Sequence, residues 1–207
     1  MSYDDIHFNN REALIKQHLD FLSDKLFFEF GVAHGGSMLM WHELYKRNEI
    51  PRSFVGFDSF EGLPVEDQDE NSIWHQGQFS TGGVINADLL NKPDIKIIPG
   101  FFNESLNENT AKLFSDTKVG LVHIDCDTYS STKTVWEWLL KYNLLAKGAI
   151  IVYDDWGAYL EAKCAEYDTA EAKAHKEIQS KYEINFTDLG KYIVDPSFYE
   201  VKIFQYE

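Results

Sequence analysis

The sequence predicts an α/β protein with a mostly parallel, Rossmann-like sheet and helices on both faces. Three observations carry the prediction. Short apolar runs bounded by turn residues alternate with amphipathic stretches, the order expected of a parallel sheet covered by helices. Acidic residues stand where these runs end: Asp58 closes SFVGFD, Asp125 closes VGLVHID, and Asp154 and Asp155 close AIIVYDD. Two final runs, YEINFTDL and YEVKIFQYE, have no helical stretch between them. A parallel crossover needs about a dozen residues or more, and only Gly190 to Phe198 are at hand. These strands are therefore expected to be antiparallel, so that a parallel sheet ends in one reversed strand.

The elements follow in order. REALIKQHLDFLS, about residues 11–23, has the spacing of an amphipathic helix. KLFFEFG is the first strand, SMLMWHELYKR a helix and SFVGFD the second strand. A polar connection from Ser59 to about Gly83 then carries Trp74, His75 and Phe79. A connection of this length is functional or mobile, and it is expected to close over an acceptor. Within it Glu66, Asp67, Asp69 and Glu70 read as a solvated charge run. VINADLL suggests a short helix, DIKIIPG the third strand and NENTAKLFSD another helix. VGLVHID is the fourth strand. In the helix after it Val135, Trp138, Leu139 and Tyr142 recur at helical spacing and are expected to face the sheet. Gly148 marks a turn before AIIVYDD, the fifth strand. A long polar helix is predicted over 158–181.

The 207 residues suit one domain spanning 1–207. With 44% hydrophobic and 15% aromatic residues the chain can bury a full core, which excludes the disordered class. The formal net charge of −15 works against nucleic acid and anionic membranes, which need basic patches, so neither is an expected partner. No run approaches the ~18 apolar residues of a membrane span. No basic segment followed by an apolar one opens the chain. Cys126 and Cys164 read as free thiols of a reducing compartment, so a cytoplasmic location is expected.

In a parallel sheet, ligands gather outside the carboxyl ends of the strands. Asp125 and the pair Asp154–Asp155 are then delivered to one edge. Three carboxylates held together repel one another unless a cation lies between them, which points to an enzyme with a divalent metal at the mouth of the sheet. FEFGVAHGGS puts Glu29, Gly31, Gly35, Gly36 and Ser37 at a strand-to-helix turn, where glycine lets backbone approach a ligand. The dinucleotide fingerprint is absent, because Ala33 replaces its middle glycine. Glu29 would repel a pyrophosphate and suits a cationic ligand, such as the amino group or sulfonium of S-adenosylmethionine. Asp58, at its strand end, can accept the ribose hydroxyls of an adenosine.

FEFGVAHGGS, FDSFEGLP, HIDCDTYSST and IVYDDW, in this order, resemble the macrocin O-methyltransferase family of class I S-adenosylmethionine-dependent methyltransferases. WHQGQFS, Trp74 to Ser80, resembles the segment after FDSFEGLP in that family, and the likeness spans roughly Phe27 to Trp156. The resemblance implies a seven-stranded sheet with a reversed last strand. It also implies methyl transfer to a hydroxyl, often on a sugar, with a magnesium ion, and self-association into a homo-oligomer. Carried over residue by residue, Glu29 and Gly31 line the methionine part of the cofactor. Asp58 binds the ribose with Ser59 beside it, and Gly100 and Phe101 border the adenine. Asp125, Asp154 and Asp155 are the metal ligands. Asp127 is the alternative first ligand, and Asp125 is preferred because it lies directly at the strand end. His75 and Asp127 are the candidate general bases; an imidazole can take a proton near neutrality. His34 falls in the cofactor turn, and His123 reads as a satisfied core residue. Trp74, Phe79 and Trp156 are candidates for an apolar acceptor wall. Two other readings remain open from the residues alone: a Rossmann oxidoreductase binding NAD, and a non-catalytic carbohydrate-binding relative.

Overall fold

A computed structural model describes residues 2–51, 53–64, 75–156, 170–195 and 199–207. Its strands are β1 (Leu26–Phe30), β2 (Phe54–Asp58), β3 (Ile95–Pro99), β4 (Val119–Ile124), β5 (Leu145–Tyr153), β6 (Phe186–Asp195) and β7 (Tyr199–Tyr206). They form one seven-stranded sheet in the order β3-β2-β1-β4-β5-β7-β6. β1 to β5 pair in parallel, and β7 is antiparallel to both of its neighbours. The last strand is thus reversed, as expected, and it inserts between β5 and β6 instead of ending the sheet.

Strand alternation assigns the core. On β1, Phe28 and Phe30 point to one face and Phe27 to the other. The first face is covered by α5 (Phe102–Ser105), α6 (Glu108–Lys112), α7 (Tyr129–Lys141) and α8 (Ala170–Tyr182). The second is covered by α1 (Tyr3–Gln17), α2 (Leu19–Leu22), α3 (Gly36–Arg47) and α4 (Ala87–Leu90). Residues between two inward-facing apolar positions therefore have a fixed side. Glu29, His123 and Asp154 all point towards α1 and α3.

Several boundaries differ from the sequence reading. The helix expected over 11–23 begins at Tyr3, because Ser2 and Asp5 form a reciprocal capping box, and it breaks at His18 before α2. The polar opening of the chain is thus helical. The helix expected over NENTAKLFSD shrinks to α6, with the short α5 before it. Gly148 (φ 89°) lies inside β5, where the register slips so that Val119 pairs Leu145 but Leu121 pairs Ile150. β6 starts four residues later than expected, at Phe186, because Tyr182 completes α8. It also runs past Gly190, which sits in a register shift. On α7 Val135, Trp138 and Leu139 are buried, whereas Tyr142 is a half-buried cap. Trp136 joins the core instead, donating through Nε1 to the Tyr153 hydroxyl at 2.7 Å. The long helix over 158–181 is seen as α8, and residues 157–169 lie outside the described residues. Among the described residues no helix is long and apolar enough to cross a membrane.

Candidate active site

The carboxyl ends of β1 to β5 open onto one cavity of about 690 Å³. Gly31 follows β1, Asp58 ends β2, Phe101 lies beyond β3, Asp125 and Asp127 follow β4, and Asp154 and Asp155 follow β5; all line it. Five strand ends converge there because the parallel strands share one direction, the arrangement that gathers ligands in this class of sheet.

The β1–α3 turn depends on glycine at Gly31. Its φ is 91°, and a Cβ there would stand 1.7 Å from the backbone oxygen of Asp125. β1 and β4 therefore approach closely under the cavity floor. Asp58 organises the same turn. Its Oδ2 accepts the amides of Val32 (2.6 Å) and Ala33 (2.8 Å), and its Oδ1 accepts the amide of Phe60 (2.6 Å). A carboxylate offers about four acceptor positions, two on each oxygen, so one on Oδ1 remains for a ligand hydroxyl. Ser59 Oγ accepts the Glu61 amide and donates to the Gly62 carbonyl.

Glu29, Gly35, Ser37 and Gly100 do not border the cavity. Gly35 caps α3 in a left-handed conformation, with Leu89 packed where a Cβ would lie. Gly100 donates its amide to the Asp58 carbonyl at 2.8 Å. Glu29 is fully buried, and its Oε1 lies 3.3 Å from His123 Nδ1. His123 Nε2 lies 3.1 Å from Asp154 Oδ1, so the ring is a satisfied buried residue, as read from the sequence. Burial and Arg11 pull the His123 pKa down, but the carboxylates of Asp154 and Glu29 outweigh them and raise it to about 9.

His75 is exposed, bonds Gln78 through its amide, and does not border the cavity. His34 is exposed. Gln78 and Phe79 do line the cavity, whereas Trp156 packs into the core against Tyr153, His175 and Phe204. Trp74, Cys164 and the charge run from Glu66 to Glu70 lie outside the described residues.

The four aspartates differ in their surroundings. Burial raises the pKa values of Asp125, Asp127 and Asp155 well above the usual carboxylate range, and neighbouring carboxylates add to the effect. Among them, Asp125 raises the pKa of Asp127 and Asp127 that of Asp155, because like charges held together disfavour ionisation. Asp127 holds φ 61°, a left-handed conformation that aspartate tolerates. Asp154 is the exception. Burial works against its ionisation, but His123 and Arg11 outweigh burial and hold its pKa below the usual range. Among the described residues one set, Glu29, His123 and Asp125, gathers three donor atoms within 4.8 Å. Within this set His123 Nδ1 lies 3.3 Å from Glu29 Oε1, an internal ion pair when the ring is charged. The four aspartates supply hard oxygen donors of the kind a divalent cation takes, although among the described residues no three of them bring oxygens within 4.8 Å of one another.

Two site residues were missed in the sequence. Arg11, on α1, donates to Asp154 Oδ1 at 3.0 Å. Glu171, on α8, is fully buried and accepts the Asp155 amide at 3.2 Å, while its Oε1 has no hydrogen-bond partner. A charged residue four after His7 and three before Leu14, on the apolar side of a helix, was the available signal for Arg11.

Residues 20–186 match the macrocin-O-methyltransferase (TylF) family. The chain belongs to that family. Membership makes it an S-adenosylmethionine-dependent O-methyltransferase, which displaces the NAD oxidoreductase reading. Solved structures share the fold of this TylF-family chain. The calicheamicin methyltransferase CalS11 is 22% identical, with a TM-score of 0.67 over 95% of this chain and 78% of its own. The O-methyltransferase NovP is 17% identical, with a TM-score of 0.64 over 97% and 79%. TomG of Streptomyces achromogenes, solved with S-adenosylmethionine, is 12% identical, with a TM-score of 0.56 over 96% and 79%. A comparison with curated protein sequences found no match.

Proposed function

We propose that this TylF-family chain, working as one domain in the cytoplasm, methylates a hydroxyl of a sugar or other small polyhydroxylated acceptor with the help of a divalent cation such as magnesium. One observation carries the proposal: Asp125, Asp127, Asp154 and Asp155 line the same cavity as the glycine turn at Gly31 and the strand-end acid Asp58. One structural neighbour, CalS11, is described as a TDP-rhamnose 3'-O-methyltransferase, which supports a sugar-type acceptor. The free, buried thiol of Cys126 agrees with a reducing compartment. Self-association into a homo-oligomer stays part of the proposal.

When bound, S-adenosylmethionine supplies an activated methyl group, and the cation supplies Lewis-acid polarisation of an acceptor hydroxyl. The chain's residues bind and orient. Backbone at Gly31 approaches the cofactor, and Asp58 fixes the Val32 and Ala33 amides while offering one acceptor position to the ribose. Phe101 and Ser59 border the adenosine. Glu29, beneath the wall, supports the turn through His123. Gly35, Ser37 and Gly100 shape the backbone around it. Asp125, Asp154 and Asp155 would hold the cation. Asp127 is better placed than His75 to take the acceptor proton, because it borders the cavity and His75 does not.

The experiment is a methyl-transfer assay over a panel of sugars and catechols, with and without magnesium. Magnesium-dependent methylation of a polyol supports the proposal. Methylation restricted to catechols, or independent of metal, contradicts the corresponding part.

A further inference from the structure

Arg11 belongs to none of the family motifs, and α1 lies outside the matched residues 20–186. The side chain is nonetheless 3% exposed, deep on the α1 face of the sheet. Its Nη2 donates to Asp154 Oδ1 at 3.0 Å and its Nη1 to Ser37 Oγ at 2.8 Å. The guanidinium lies over Trp41, 4.9 Å from the ring centroid. His123 reaches the same Asp154 oxygen from β4 at 3.1 Å. One oxygen of Asp154 is thus gripped from behind by two donors on two elements, while the residue borders the cavity in front.

Stability does not account for this arrangement. A buried ion pair is often no better than packed apolar residues of similar volume. Arg11 Nε is also buried without a hydrogen-bond partner, a cost that an apolar side chain beside Leu14 and Ile15 would avoid. A planar guanidinium can serve Ser37 and Asp154 together, which a lysine ammonium on a flexible stem does poorly.

We infer that Arg11 is a positioning residue: the N-terminal helix fixes Asp154 through Oδ1, so that this carboxylate meets cation and acceptor in one orientation. The inference rests on the proposal that Asp154 works in the site. Partners of this kind, one shell behind a ligand, usually change metal affinity or activity by about 10- to 100-fold.

The test compares wild type with Arg11→Met, Arg11→Lys, Asp154→Asn and the double variant Arg11→Met/Asp154→Asn. Each is measured for S-adenosylhomocysteine affinity by calorimetry, for manganese affinity by electron paramagnetic resonance, and for kcat and KM. Arg11→Met is expected to lower manganese affinity and kcat at least about tenfold, with S-adenosylhomocysteine affinity within about twofold of wild type. Arg11→Lys falls between, and Arg11→Met adds little in the Asp154→Asn background. A lower melting temperature with unchanged kcat and manganese affinity overturns the inference, and so do additive losses in the double variant. Where Arg11→Met does not accumulate folded, Arg11→Lys carries the same readouts. A wild-type protein that binds no manganese removes the metal from the proposed function; the kcat comparison then decides the role of Arg11.

Discussion

Asp58 Oδ2 lies 2.6 Å from the amide nitrogen of Val32, so the acid at the end of β2 is part of the turn that follows β1. In the proposed function it both builds the cofactor cradle and offers its remaining acceptor position to the ribose. Asp58→Ala is therefore expected to weaken S-adenosylhomocysteine binding by about 1.5–3 kcal/mol, from one lost charge-assisted hydrogen bond. It should also lower the melting temperature of the free protein, because the Val32 and Ala33 amides lose their acceptor. Calorimetry and thermal unfolding on the same sample check both. Unchanged affinity would remove Asp58 from the site.

Gly31 is the least replaceable turn residue. Gly31→Ala places a methyl 1.7 Å from the Asp125 carbonyl oxygen and keeps a φ of 91° that alanine resists. A loss of more than about 3 kcal/mol is expected in denaturant unfolding, since both backbone strain and a clash with backbone are involved. A stable Gly31→Ala protein would mean that β1 and β4 can separate beneath the cavity.

Much of this was legible in the sequence because strand ends are local. An apolar run ending in an acid fixes where Asp58, Asp125, Asp154 and Asp155 emerge, whatever the rest of the chain does. What the acids bond to is tertiary. Nothing near Asp58 reveals that the Val32 and Ala33 amides occupy Oδ2, and nothing near Asp154 names Arg11, 143 positions away. Glu29 shows the same limit. Its place before the glycine turn suggested a cofactor contact, yet strand alternation turns it towards His123. The helix read over 11–23 overlaps α1 but misses its first part, because its start is set by the Ser2–Asp5 capping box rather than by apolar spacing.

His175 gives a pH signature outside the site. Its Nδ1 lies 2.9 Å from the Tyr153 hydroxyl, and burial, reinforced by Lys176 and Lys202, lowers its pKa from 6.5 to about 4. The unfolded chain then binds the proton at higher pH than the folded one. Stability from the neutral ring is complete above about pH 6.5 and is lost as pH falls towards 4, by up to about 3 kcal/mol. Urea unfolding of wild type and His175→Gln at pH 7.5 and 4.5 isolates the effect. Their stability difference should shrink at the lower pH; a constant difference contradicts it.

The cavity wall constrains acceptor charge. Among the described residues it carries Asp58, Glu104, Asp125, Asp127, Asp154 and Asp155 and no lysine or arginine. A neutral glycoside should be preferred over the nucleoside-diphosphate form of the same sugar by at least about tenfold in kcat/KM, because this wall offers a diphosphate no cationic side chain. Better turnover of the nucleotide sugar would show that groups beyond this wall handle the diphosphate.

In the proposed function, carboxylates at the ends of β4 and β5 support methyl transfer through a divalent cation. The most direct test is methyl transfer from labelled S-adenosylmethionine, measured in excess chelator and again after magnesium is restored. S-adenosylhomocysteine affinity is followed in parallel. Turnover should disappear and return while S-adenosylhomocysteine binding stays nearly unchanged, and Asp154→Asn should behave like the chelated enzyme. Full turnover in chelator would contradict the proposal, leaving the aspartates to shape the cleft and a protein base to take the proton.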